Sequence, residues 1–107
     1  MVEIPNIVKD KILRFIAELE NNNIKIKKAY LFGSYANNRR DKWSDIDLAL
    51  ISDSFTGNRF EDKMKIPKYK AVVGWDISPM PFREEDFNDS YFERDEIIAK
   101  GIEIEFN

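Results

Sequence analysis

Between residues 5 and 20 the apolar side chains Ile7, Val8, Ile12, Phe15, Ile16 and Leu19 recur at spacings of three and four, with polar residues between them. That rhythm predicts one buried face of a helix. Pro5 suits its first turn, where a missing N–H costs nothing, and Asn21-Asn22-Asn23 supplies a stop. Residues 24–32 alternate early and then turn wholly apolar through Ala29-Tyr30-Leu31-Phe32, the pattern of a strand entering a core, which Gly33 ends. A short helix over 35–39 and a polar connection over 40–44 are expected next. Residues 45–51 read as a second strand, in which Ile46, Leu48 and Leu50 share one parity and Asp45 and Asp47 the other. Both carboxylates therefore project from one face. Residues 52–58 are turn-like, and 60–69 form a helix that Pro67 cuts short. A third strand is expected over 70–78, with Asp76 near its exit and Pro79 and Pro81 breaking the segment after it. Residues 89–100 carry Tyr91, Phe92, Ile97 and Ile98 in a helical pattern closed by Gly101, and 102–106 alternate like an edge strand. The alternation of helices and short strands predicts an α/β (α+β) fold. Its sheet is small and mixed, with three core strands plus an edge strand, flanked by helices.

A chain of 107 residues can bury one core but hardly two, so residues 1–107 are read as a single domain. Apolar residues make up 43% and charged residues 35%, a balance that folds. The absence of cysteine and histidine changes the chemistry available. Disulfides, thiolate nucleophiles, histidine-ligated zinc and an intrachain Ser-His-Asp relay are excluded together, leaving acid, base and metal work to carboxylates. Oxygen donors suit hard cations such as magnesium or manganese. With 17 basic against 20 acidic residues the net charge is −3, which is no strong nucleic-acid footprint. No apolar run approaches the roughly 20 residues of a membrane helix, and Met1-Val2-Glu3-Ile4-Pro5 does not begin a secretion signal. A cytoplasmic location is expected.

Three features could carry chemistry. Gly33-Ser34 stands between a strand and a helix, where the backbone can approach a phosphate and helix N–H groups are free. The same pair would also serve as a simple capped turn. Asp45 and Asp47 lie roughly 7 Å apart along one strand face and could converge on divalent ions. Two solvated aspartates are the alternative, although like charges on one face repel without a cation. Asp76 interrupts an otherwise apolar run, Val72-Val73-Gly74-Trp75-Asp76-Ile77. It could join the same site as third carboxylate and proton acceptor, or it could simply end a strand.

Gly33-Ser34, ten residues, then Asp45-Ile46-Asp47, with Tyr35-Ala36 after the first half, Ser44 before the second and Leu48-Ala49-Leu50-Ile51 behind it, resembles the motif of the DNA polymerase beta-like nucleotidyltransferase superfamily. The likeness is greatest to its minimal, single-domain members. It implies transfer of a nucleoside monophosphate, AMP from ATP, to an acceptor hydroxyl. In this reading Gly33 and Ser34 hold the triphosphate, with Asn38, Arg39, Lys42 and Ser44 on the nucleotide side. Asp45, Asp47 and Asp76 would hold Mg2+ or Mn2+. Many relatives carry a basic residue and then glycine where Asn37-Asn38 stands here; asparagine tolerates the left-handed backbone, and Arg39, Arg40 or Lys42 could restore the charge. Trp43 and Trp75 fit core packing better than base stacking, and Lys63, Lys65, Lys68 and Lys70 fit a solvated face. Phe82, Phe87, Tyr91, Phe92 and Phe106 should be mostly core. The resemblance further implies a separate partner, a small helical HEPN-type toxin that the enzyme, as antitoxin, neutralises by adding AMP to a tyrosine hydroxyl. A catalytically weak module that blocks its partner sterically is the competing reading. Transfer to a small molecule or an RNA end is another, and a homo- or hetero-oligomer is compatible with each.

Overall fold

The computed structural model describes residues 4–33, 46–66 and 77–106. Helix α1 (Asn6–Asn21) buries Val8, Ile12, Phe15, Ile16 and Leu19, as its periodicity predicts, while Ile7 turns out to be 70% exposed. Ile7 stands a full step off the stripe defined by the other five. The asparagine stop works through backbone geometry: the N–H groups of Asn22 and Asn23 donate to Leu19 and Glu20 carbonyls, and Asn23 takes the left-handed conformation at φ 68°. Asparagine accepts that conformation more readily than most residues.

Strands β1 (Lys28–Phe32), β2 (Ile46–Ile51), β3 (Ile77–Phe82) and β4 (Ile102–Glu103) form one mixed sheet in the order β3-β2-β1-β4. β1 pairs antiparallel with β2 and β4, whereas β2 and β3 run parallel. Helix α2 (Arg59–Lys65) lies on the crossover between the parallel strands, and α3 (Glu84–Asp89) and α4 (Tyr91–Lys100) follow β3. The fold class expected from the sequence is the one observed. The first strand is shorter than expected: Ile24 and Ile26 are buried, but the ladder begins only at Lys28.

One expectation is corrected and one element is added. Pro79 and Pro81 do not break the third strand; they lie within it, and the strand exits at Phe82, six residues beyond Asp76. β3 is an edge strand of the described sheet, and the Phe82 carbonyl accepts from Ser52 N–H on the β2 side at 2.8 Å. Backbone groups alternate in direction along a strand, so Pro79 and Pro81 turn their missing donors to the open edge, where no ladder bond is lost. The helix expected over 89–100 is observed as α4, closed by Gly101, and α3 precedes it as a helix that the pattern did not predict. Asp89 closes α3, Ser90 separates the pair, and the Ser90 hydroxyl donates to the Phe87 carbonyl at 2.9 Å.

Both sheet faces are covered. On the first, α1 packs against Ala29, Leu31, Ile46, Leu48, Leu50 and Ile77. On the second, Tyr30, Ala49, Ile51 and Phe82 meet Phe87 of α3 and Ile97 of α4. Phe87 stacks on Tyr30 with ring centroids 5.9 Å apart and meets the edge of Phe82 at 5.2 Å. This three-layer packing explains why β2 reads as a nearly continuous apolar run after Asp47.

The end of the sheet where β2 and β3 exit is tied by polar contacts. Asp62 is buried and accepts from Thr56 N–H at 2.8 Å, Thr56 Oγ1 at 3.0 Å and Gly57 N–H at 3.2 Å, while Asn58 Oδ1 caps α2 through Phe60 and Glu61 N–H. Lys27 Nζ bridges Asp53 at 2.6 Å and Glu84 at 3.4 Å.

Candidate active site

The opposite end of the sheet, where β1 exits and β2 and β3 enter, is built differently. Strand registers align three rows across the second face. Lys28, Ile51 and Phe82 form one, Tyr30, Ala49 and Met80 the next, and Phe32, Asp47 and Ser78 the last. The helical cover of α3 and α4 lies over the first two. In the third row Phe32 and Asp47 are half-buried and Ser78 is exposed. Asp47 is the one residue of β2 that is not buried. Its parity is the one expected, opposite to Ile46, Leu48 and Leu50, which face α1. Among the described residues, a half-buried carboxylate thus stands at the margin of an otherwise apolar surface.

Gly33 closes β1 one residue beyond Phe32, the register partner of Asp47. Its φ is +74°, a left-handed conformation that suits glycine. The space where a side chain would begin is taken by Asp47: a Cβ on Gly33 would sit 3.0 Å from the Asp47 Cγ and 3.3 Å from its Cβ, with Oδ2 closer still. Two parts of the sequence motif, fourteen positions apart, are therefore in direct apposition.

Of the residues singled out in the sequence, Gly33 and Asp47 are brought together here. Ser34, Asn38, Arg39, Lys42, Ser44, Asp45 and Asp76 lie outside the described residues, as do the helix expected over 35–39, Arg40, Trp43, Pro67, Lys68, Lys70 and Trp75. Phe82 and Phe87 are core, as expected, whereas Tyr91 is 70% exposed and lies under the Arg94 guanidinium, 5.2 Å from its ring centroid. Phe32 and Ser78 flank Asp47 in its row. The signal for Ser78 is its parity with Met80 and Phe82, but the prolines concealed the strand that makes parity meaningful.

The donor present fits a hard cation in type, since Asp47 offers carboxylate oxygens at a half-buried position. Among the described residues no group of three or more Asp, Glu, His or Cys side chains could hold a metal ion. An open groove of about 650 Å³ between α1 and the segment after β4, bordered by Lys9, Leu13, Ile26 and Phe106, includes neither Gly33 nor Asp47. Among the described residues no helix is long and apolar enough to cross a membrane.

The nucleotidyltransferase domain family model matches residues 9–102. No curated protein matches the sequence significantly. Among solved structures, a toxin–antitoxin complex with AMP-PNP is similar over 92% of this chain and 73% of its own, at 24% identity and a TM-score of 0.60. The toxin–antitoxin MntA–HepT is similar over 96% of this chain and 74% of its own, at 21% identity and a TM-score of 0.55. A candidate nucleotidyltransferase from Sulfolobus solfataricus is similar over 96% of this chain and 89% of its own, at 15% identity and a TM-score of 0.54.

Proposed function

From the premise that this chain belongs to the nucleotidyltransferase domain family, we propose that it transfers AMP from ATP to a hydroxyl of a partner protein, and so acts as the antitoxin of a toxin–antitoxin pair. The observation that carries the reading is the apposition of Gly33 and Asp47 at the margin of the sheet, which joins the two halves of the motif. Asp45 and Asp76 immediately precede Ile46 and Ile77, which are register partners, so chain connectivity supports a set of three carboxylates. Asp47 would hold a divalent ion together with Asp45 and Asp76. Such an ion, when bound, neutralises charge on the phosphates during displacement.

In the reaction the acceptor hydroxyl oxygen bonds to the α-phosphorus, the bond from that phosphorus to the β-bridging oxygen breaks, and pyrophosphate leaves. The hydroxyl proton passes to Asp76, the carboxylate assigned as base because the chain has no histidine. Gly33 and Ser34, with Asn38, Arg39, Lys42 and Ser44, hold the triphosphate. This chemistry needs positioning and charge compensation more than covalent participation.

The acceptor assignment is supported by the structural neighbours. One of them is a toxin–antitoxin complex with a nucleotide analogue; in variants of MntA and its partner, two aspartates two positions apart become glutamate, or a tyrosine becomes alanine. A helical HEPN-type toxin bearing an acceptor tyrosine is the partner this suggests. Incubation with ATP labelled at the α-phosphate, magnesium and such a partner tests the proposal. Labelled partner is expected. Tight binding of the partner without labelling would instead favour a sterically acting module.

A further inference from the structure

Glycine at the end of β1 is explained in a phosphate-binding motif by close approach of the backbone to the ligand. The structure supplies a different reason. The volume that a Gly33 side chain would fill belongs to the Asp47 carboxylate, whose Cγ would stand 3.0 Å from the new Cβ and whose Oδ2 would overlap it. The collision could not be absorbed by a long flexible side chain, because aspartate has only one methylene and its Cβ lies within 3.3 Å of the same point. Nor can β2 slide away, since Phe32 and Asp47 are register partners and the neighbouring residues Leu31 and Leu48, also paired, are fully buried.

We infer that Gly33 is a positioning residue for Asp47: its missing side chain is the space that lets the carboxylate stand over the end of β1. This deepens the proposed function and rests on the reading of Asp47 as a metal ligand. Gly33 then governs metal affinity before any nucleotide arrives. A glycine needed only for phosphate approach would leave metal binding alone.

Two measurements on the full chain test this. The first is a thermal-melt cycle of wild type, Gly33→Ala, Asp47→Ala and the double variant. Gly33→Ala is expected to lower the melting temperature much more when Asp47 is present than in the Asp47→Ala background, where only backbone strain at φ +74° remains. If Gly33→Ala fails to fold, recovery of a cooperative melt in the double variant supports the inference equally. Equal losses in both backgrounds overturn it. The second is Mn2+ titration without nucleotide, following free Mn2+ by electron paramagnetic resonance. Gly33→Ala is expected to weaken binding by about 10- to 100-fold, the range for groups that orient metal ligands. Unchanged Mn2+ affinity in folded Gly33→Ala overturns the positioning role. Wild type that binds no Mn2+ would contradict the metal reading of the proposed function, and the melt cycle would still decide whether Gly33 makes room for Asp47.

Discussion

Replacing Asp47 by asparagine removes one charge while keeping nearly the same volume beside Gly33, so it separates electrostatics from shape. The structural cost should be small. Asp47 is half-buried and lies outside both apolar clusters. A change of this kind away from the core shifts stability by about 0.5 kcal/mol, which moves the melting temperature of a domain this size by only about 2–4 °C. The catalytic cost should be large. Two unit charges about 4 Å apart near a protein surface interact by about 4 kcal/mol, and a divalent ion doubles the gross figure before desolvation is subtracted. A net loss of about 4 kcal/mol corresponds to roughly a thousandfold in rate. Single-turnover transfer from α-labelled ATP, beside a thermal melt of the same preparation, measures both quantities. An Asp47→Asn protein that melts like wild type but transfers within about tenfold of it would refute the electrostatic argument.

Other consequences follow from the fold. Asp62→Ala leaves Thr56 and Gly57 donors without their acceptor in a buried position and should destabilise by about 2–3 kcal/mol in chemical denaturation, with no change in the slope of the transition. Replacing Pro79 and Pro81 together by valine should preserve pairing with β2 but give the open edge two N–H donors; light scattering should then detect concentration-dependent association. The side-chain hydrogen bond between Lys27 and Asp53 raises the Lys27 pKa above 10.5 and lowers that of Asp53 below 3.8. The Asp53 contribution is complete above pH 3.8 and fades as pH falls through its lowered value; the Lys27 contribution is complete below pH 10.5 and fades as pH rises through its raised one. Because the pair is exposed, Lys27→Met should flatten both limbs of the stability profile only slightly.

Much of the scaffold was legible because local patterns and global packing agree. The α1 stripe, the parity of Asp47 against Ile46, Leu48 and Leu50, and the termination of β1 at Gly33 are all short-range properties. Ile7 misled because a spacing of one from Val8 fits a broad stripe as well as a narrow one. Pro79 and Pro81 misled for a stronger reason. A proline forbids a strand only if its N–H faces a neighbour, and that depends on sheet order, which no local pattern encodes. Helix α3 went unread because its one buried residue, Phe87, packs against Tyr30 and Phe82 from distant strands, which no local pattern over 84–89 encodes. At the site, chain spacing identified Gly33 and Asp47 as members of one motif. Their contact depends on the antiparallel register of Phe32 with Asp47, and Ser78 joins the row through the parallel register of β3.

The proposed function stands or falls on whether this site moves AMP rather than phosphate and gives it to a protein hydroxyl. Intact-mass measurement of the partner, taken with quantified pyrophosphate release in the same reaction, answers both halves at once. The expected result is a mass increase of one AMP for each acceptor hydroxyl modified and an equal amount of pyrophosphate, with both absent when Asp47→Asn replaces the wild-type chain. An unmodified partner together with ADP or free phosphate, or modification that persists undiminished with Asp47→Asn, would overturn the proposal.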